Sequence, residues 1–267
     1  MQIQNKVIII TGATGGMGRA LSWRFGRAGG KIGVLDLRRD DVESFAKELG
    51  QAGIQALGFP CDVTDEQACR IAIEKVAEKL GGVEVLINNA GITHRSAFAK
   101  TQIQTFRQVM EVNFFGALHC TQAALPHLQK SRGLIIVMSS IAGFSPLFGR
   151  SGYSASKHAL HGMFESLRTE LREKGVHVMM VCPGFTATNI EKNALGGDGR
   201  PTTHPRSTTG KIATPEEVAD AIYRGALRNK RLLVLSTVGK LAYLISKFFP
   251  AYYERAMTRR LRQELER

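Results

Sequence analysis

The stretch KVIIITGATGGMG (6–18) decides the reading of this chain: an apolar β-favouring run, VIII, gives way to TGATGGMG (11–18), and a helical pattern follows in GRALSWRFGRAG (18–29). Gly12, Gly16 and Gly18 permit a tight turn, close approach of the backbone to a pyrophosphate, and packing of the following helix, whose first N–H groups then face the anion. A glycine cluster serves equally as a plain strand-to-helix turn, so alone it carries little. The second apolar run, KIGVLD (31–36), changes that, because it ends on Asp36, 18 residues beyond Gly18. A carboxylate there accepts both hydroxyls of an adenosine ribose and repels a 2′-phosphate. Both halves of a dinucleotide-binding fingerprint are present.

The same alternation runs on. ALGFPCDV (56–63), VEVLINNA (83–90), GLIIVMSS (133–140) and VHVMMVCPG (176–184) are apolar runs of strand length, and RLLVLS (231–236) offers one more. Between them, stretches such as EQACRIAIEKVAEKL (66–80) repeat apolar residues at three and four. Strands apolar on both faces that alternate with helices predict an α/β fold, a parallel sheet covered by helices on both sides. One domain is expected over 1–236. Within it, 187–213 is rich in Gly, Thr and Pro and reads as a long mobile loop. The loop ends at TPEE, where Thr214 reads as an N-cap, Pro215 as a first-turn residue and Glu217 as the capping-box partner.

Composition narrows the function classes. With 43% hydrophobic and 22% charged residues over 267 positions, the chain is neither disordered nor fibrous and can bury one large core. Cys61, Cys69, Cys120 and Cys182 lack metal-ligand spacing and read as reduced structural thiols of a cytoplasmic protein. The first apolar run begins at Val7 and passes straight into the glycine turn, so no signal peptide is expected and the mature chain is expected to start where the sequence starts. The net charge of +13 raises a nucleic-acid partner, but ten Lys or Arg and three Glu between Arg228 and Arg267 place more than half of it in the tail. No basic groove with interleaved aromatics exists, so no nucleic-acid partner is expected.

TGATGGMG, CDV (61–63), NNAG (88–91), VNFFG (112–116), SS (139–140), YSASK (153–157) and PGFTAT (183–188) occur in that order. Together they resemble the short-chain dehydrogenase/reductase family in its form with a YxxxK active site, over about 6–235. The resemblance implies a doubly wound Rossmann-type sheet of seven strands, a nicotinamide cofactor, and hydride transfer between an alcohol and a carbonyl. It also implies a small-molecule substrate and a homodimer or homotetramer. The implied cofactor contacts are Gly12, Thr14, Gly15, Gly16, Met17 and Gly18 in the loop, Asp36 and Leu37 after it, and Asp62 and Val63 at the adenine. Asn89, Ala90 and Gly91 follow, with Tyr153, Lys157, Pro183, Gly184, Phe185, Thr186 and Thr188 near the nicotinamide. NAD is expected over NADP. Leu37 occupies the family's usual site for a phosphate-binding base, and Thr14 and Gly15 are neutral, although Arg38 and Arg39 lie just beyond.

YSASK also has a direct chemical reading. Tyrosine's ordinary pKa near ~10 makes it a poor base at neutral pH, and Lys157, one helical turn from Tyr153, favours the phenolate. By resemblance Lys157 also binds the nicotinamide ribose, Ser140 steadies the substrate oxygen, and Asn113 holds a water in a proton relay. Ser139 is the alternative to Ser140. His158 and His161 are read as helix-face or subunit-contact residues, and no metal is expected. His94 and Arg95 read as solvated loop residues more than as substrate contacts. Phe144, Leu147, Phe148 and Phe185 read as pocket wall, core or interface, a slight argument for an apolar substrate.

The tail, 237–267, reads as a basic amphipathic helical extension. Leu241, Leu244, Ile245 and Phe248 form one stripe, with Lys240 and Lys247 set opposite, and Pro250 breaks the pattern before Tyr253, Met257 and Leu261 resume it. It is expected to pack on the domain or a second subunit, ahead of peripheral contact with an anionic membrane surface. The expectation is an NAD-preferring oxidoreductase acting on an apolar secondary alcohol or ketone such as a steroid, retinoid or lipid-like carbonyl compound. A non-catalytic dinucleotide-binding regulator and a membrane-surface interaction protein are the competing classes. A regulator would have no use for the Asn113, Ser140, Tyr153 and Lys157 relay.

Overall fold

The computed structural model describes residues 2–188, 193–202 and 212–262. Seven strands form one parallel sheet: β1 (Val7–Thr11), β2 (Lys31–Asp36), β3 (Ala56–Pro60), β4 (Val85–Asn88), β5 (Leu134–Met138), β6 (His177–Cys182) and β7 (Leu232–Val234). Their spatial order is β3-β2-β1-β4-β5-β6-β7, so the winding reverses between β1 and β4. A crevice opens at such a reversal, outside the carboxyl ends of the strands.

Strand side chains alternate between two cores. Ile8, Ile10, Val85, Ile87, Ile136 and Val181 face one layer, in which they meet Leu21 and Phe25 of α1 (Gly16–Gly26), Phe45 of α2 (Arg39–Gln51) and Ile222 of α7 (Pro215–Leu227). Val7, Ile9, Leu86, Ile135, Val137 and Met180 face the other. There they meet Ile73 and Val76 of α3 (Glu66–Leu80), Cys120 and Leu128 of α5 (Gly116–Ser131), and Phe164 of α6 (Ser151–Glu170). Central strands buried on both faces are apolar up to their carboxyl ends, where β1 closes on Thr11 and β4 on Asn88, which is why these runs show no polar alternation.

Local chemistry sets the helix ends. Asp65 caps α3 by accepting the Ala68 N–H at 3.0 Å, and Gly81 closes it at φ 98°. Thr214 and Glu217 form the expected reciprocal capping box, with Pro215 in the first turn. The strands are shorter than their apolar runs. CDV, Asn89 with Ala90, SS and PG continue past the last ladder bonds and leave the sheet at its carboxyl edge, where the crevice needs them as loops.

Of the loop expected over 187–213, residues 189–192 and 203–211 lie outside the described residues. Its base is closed where Ala187 and Ala213 donate to Ala213 and Phe185 carbonyls. Residues 193–202 fold back on themselves through Leu195 and Pro201, and Leu195 lies alongside His94.

The tail forms α8 (Thr237–Phe248) and α9 (Pro250–Leu261), which pack on each other, and α8 packs on the turn at Ile141–Gly143. The inward side of α8 is small: Gly239 and Ala242 are buried, and the Ala242 carbonyl accepts the Ser145 hydroxyl at 3.2 Å. Leu241, Leu244 and Phe248 are instead exposed, as are Lys240 and Lys247. The apolar stripe read from the sequence is therefore not the face that packs on the domain.

Gly18 shows how tightly the first turn is built, since a Cβ there would run into the Gly12 carbonyl and Ala13. Gly18→Ala is expected to cost about 2–4 kcal/mol in urea unfolding. At exposed Gly162 in α6 a Cβ meets nothing within 4 Å, so Gly162→Ala should add about 0.5–1 kcal/mol. Equal effects of the two substitutions would mean that the crowding at Gly18 is relieved by local shifts.

Candidate active site

One cavity of about 1440 Å³ lies in the crevice. Every residue singled out from the sequence for cofactor binding or catalysis lines it except Asn113. At its floor the turn after β1 is fixed by crowding: Gly12 sits at φ 62°, and a Cβ there would come within 2.9 Å of the Ala90 Cα. The α1 N-terminus has no side-chain cap and no acidic residue in its first turn. A Cβ on Gly15 or Gly16 would meet nothing nearer than 3.5 Å. Bare N–H groups beside an open, side-chain-free surface fit a dinucleotide pyrophosphate.

Asp36 is held in place by its neighbours. Oδ2 accepts the Thr14 N–H at 2.9 Å and the Thr14 hydroxyl at 2.6 Å, while Oδ1 accepts the Leu37 N–H at 2.8 Å. A carboxylate offers about four acceptor positions, so about one remains on Oδ1 for a ribose hydroxyl unless Thr14 yields. Arg38 and Arg39 are paired within α2's first turns, with Asp41 and Glu43 respectively. Asp62 accepts the N–H and hydroxyl of Thr64, which fixes the loop at the adenine end. Across the cavity Thr188 lies over Gly16, its methyl 3.6 Å from where a Cβ on that glycine would be.

The other end of the cavity is built by three elements. A π-helical turn, Glu111–Phe115, joins α4 (Ile103–Met110) to α5 and buries Asn113. Its Oδ1 accepts the Ile92 N–H at 2.8 Å, and its Nδ2 donates to the Ile92 carbonyl and to Ser156 Oγ, both at 2.9 Å. Both amide hydrogens are used, and one acceptor position remains. Asn113 is thus a clamp between the loop after β4 and α6, behind the cavity wall.

Lys157 reaches in from α6, only 4% exposed, and donates to the Met138 carbonyl at 2.8 Å. Burial lowers its pKa to about 8. Cys182 nearby is pushed up to about 12, chiefly by burial, and stays neutral. The ammonium lies 5.7 Å from the Tyr153 ring centre. Ser140 Oγ accepts the Ala142 N–H at 3.2 Å, which leaves its own O–H to donate. Ser139 is buried, its hydroxyl directed to the Lys157 carbonyl at 3.5 Å.

Some assignments change. His94 and Arg95 are buried, not solvated, because residues 193–202 pair over them: Arg95 N–H donates to the Leu195 carbonyl at 2.8 Å. His94 Nδ1 accepts the Tyr153 N–H at 3.3 Å, so the neutral ring carries its proton on Nε2. Burial and the Arg150 charge lower its pKa to about 4. Leu147 and Phe185 line the cavity, whereas Phe144 packs edge-on against Tyr243 and the Phe148 N–H points at Met257 Sδ. His158 and His161 turn to Ser154 and Glu165, and no cluster among the described residues could hold a metal.

Sequence reading missed several contributors. The Thr11 hydroxyl accepts the Asn89 and Ala90 N–H groups, both at 3.0 Å. Its place at the head of TGATGGMG was the available signal. Ala242, Tyr253, Met257 and Leu261 of α8 and α9 also line the cavity, for which no local motif exists.

The short chain dehydrogenase family model matches residues 6–197. Dehydrogenase/reductase SDR family member 7B of Xenopus tropicalis is 35% identical over 270 residues, covering 98% of this chain and 87% of that protein. Dehydrogenase/reductase SDR family protein 7-like of Drosophila melanogaster is 33% identical over 265 residues, covering 97% and 81%. A short chain dehydrogenase/reductase from Burkholderia phymatum in complex with NAD superposes with TM-score 0.83 at 22% identity, over 94% of this chain and 96% of that one. LigD from Sphingobium sp. strain SYK-6, in its apo form, gives 0.77 at 27% identity, over 94% and 97%.

The neutral His94 has a consequence for acid stability. Unfolded, it takes a proton near pH ~6.5, but folded only near about 4. Its contribution is therefore complete above the unfolded value and lost as pH falls towards the folded one. His94→Gln, which keeps an acceptor for the Tyr153 N–H, should lose less stability than the parent across that window in pH-resolved urea unfolding. Identical pH slopes would show that His94 does not couple protonation to folding.

Proposed function

Because this chain belongs to the short-chain dehydrogenase/reductase family, and so is an oxidoreductase using a nicotinamide dinucleotide, we propose that it interconverts an apolar secondary alcohol and its ketone, with Tyr153 moving the proton and NAD preferred. The observation that carries this reading is the buried Lys157 ammonium beside the Tyr153 ring, in the same cavity as the uncapped α1 N-terminus and Asp36.

The bound nicotinamide supplies or accepts the hydride. The chain's residues handle the proton. At neutral pH Lys157 is largely ammonium, and its charge stabilises the phenolate that forms on Tyr153 as the proton moves. Ser140 donates its hydroxyl to the substrate oxygen and shares the charge that develops there. Asn113, with one acceptor position left, holds a water leading from Lys157 towards solvent. Leu147, Phe185, Ala242, Met257 and Leu261 give the substrate side an apolar wall, which supports an apolar substrate.

Asp36 supports NAD. Held by Thr14 and Leu37, the carboxylate cannot swing away from a 2′-phosphate. The exposed Arg38 and Arg39 pairs are worth only ~0.2–1 kcal/mol each. They would not by themselves keep the arginines from a phosphate, so the preference rests on Asp36. A homodimer or homotetramer through exposed Ile103 and Phe115 at the α4–α5 face is part of the same reading. A monomer in sedimentation equilibrium would remove that part.

Tyr153→Phe should lower kcat by about 10²–10⁴-fold with cofactor affinity nearly unchanged by fluorescence titration. Near-parental turnover at saturating cofactor would end the assignment. Ketone reduction should also weaken above about pH 8 as Lys157 loses its proton. Lys157→Arg, whose charge persists, should shift that alkaline limb upwards. A flat profile through this range would remove Lys157 from the relay.

In parallel steady-state assays NAD should exceed NADP in kcat/KM by about tenfold or more, roughly 1.4 kcal/mol. Asp36→Ala should erode the difference chiefly by improving NADP. Equal use of both cofactors by the parent would hand the deciding role to Arg38 and Arg39.

A further inference from the structure

The outer face of the α8–α9 hairpin is apolar where an ordinary surface would be polar. Leu241, Leu244, Phe248, Phe249 and Tyr252 are between 52% and 71% exposed and run from α8 across the junction at Pro250 into α9. Among the described residues nothing covers them. The inner face packs through Gly239 and Ala242 of α8, with Tyr243 against Phe144 and Leu261 buried on α9, so the hairpin is anchored without using Leu241, Leu244 or Phe248. A contiguous patch of this kind marks an interaction surface.

Charge identifies the occupant. Residues 237–262 hold six Lys or Arg and a single Glu. Lys240 and Lys247 flank the patch on α8, and Arg255 and Arg259 continue the basic surface on α9, all exposed. A second copy meeting the same patch across a two-fold axis would bring cation against cation. An anionic bilayer surface takes the aromatic and leucine side chains into its acyl boundary and pairs its headgroups with the rim. No described helix is long and apolar enough to cross a membrane, so the hairpin would lie in the interface plane.

We propose that the α8–α9 hairpin docks the protein on anionic lipid bilayers through Leu241, Leu244, Phe248, Phe249 and Tyr252, with Lys240 and Lys247 at the headgroups. The opposite side of the hairpin forms part of the cavity wall, and Val238, 36% exposed, lines the cavity from the same helix. Docking would therefore set the cavity beside the lipid. The inference stands independently of the substrate proposed above.

The full chain is cosedimented with phosphatidylcholine vesicles and with vesicles of equal phosphatidylcholine and phosphatidylserine, at low and high salt. The expected result is capture by the anionic vesicles, weakened by salt. Leu244→Glu combined with Phe248→Glu should reduce partitioning by about tenfold or more, while cofactor binding, read by nicotinamide fluorescence, stays at the parental level. Lys240→Glu with Lys247→Glu keeps the apolar patch and should lower capture by anionic vesicles alone. Failure of the parent to bind, equal capture by both vesicle types, or parental binding by both variants would overturn the proposal. Patch-dependent self-association of the parent in sedimentation velocity without vesicle capture would overturn it in favour of a second copy. Loss of turnover in a variant that still binds vesicles would bear on the reaction and leave docking intact.

Discussion

The meeting of β1 and β4 is the contact on which the rest depends. At the carboxyl ends of these strands the winding reverses, and the chain must turn away on both sides without closing the gap. The Thr11 hydroxyl accepts two N–H groups from the Asn89–Ala90 turn, and the Asn89 side chain returns bonds to the Thr11 and Gly12 carbonyls. Gly12 turns at a positive φ against Ala90, where a side chain could not fit. With the two turns locked together, the α1 N-terminus points into the crevice and Asp36 stands at its edge. The dinucleotide site is thus a consequence of how two strands stop.

A buried ammonium is costly, and the fold keeps one at Lys157. Desolvation penalises the charged form, and a single carbonyl, that of Met138, offsets it only in part. Among the described residues no carboxylate is placed beside it to raise its pKa. The lowered value leaves the group able to gain and lose a proton near neutrality, as the proposed relay requires. The surrounding clamp supports this use: Asn113 fixes Ile92 and Ser156 at the same time, so the helix carrying Tyr153 and Lys157 cannot drift from the loop that closes the cavity. His94 holds the start of that helix from the other side.

The C-terminal hairpin has two faces with different tasks. Small residues let α8 approach the domain closely, and the side chains of α9 extend the cavity wall. On α8, Leu241, Leu244 and Phe248 face outward, inverting the usual arrangement of an amphipathic helix on a globular protein. A helix packed by its small face gains its place from shape more than from buried area, which leaves its large apolar residues for another surface.

The amino-acid sequence by itself determined the sheet, the helices between its strands, the glycine loop with Asp36 and the Tyr153 to Lys157 pair, because each is written in short-range periodicity or spacing. Capping chemistry at Thr214 to Glu217 was legible for the same reason. The tertiary structure alone decided what depends on distant segments. His94 looked solvated in its loop and is buried because Leu195 pairs beside it. The stripe of α8 looked like a packing face and points outward because Gly239 and Ala242 fit the turn at Ile141–Gly143 more closely. The π-helical turn that aims Asn113 inward has no local signature. Periodicity records which residues share a face, whereas the neighbour that covers the face is set by chain that lies far away in sequence.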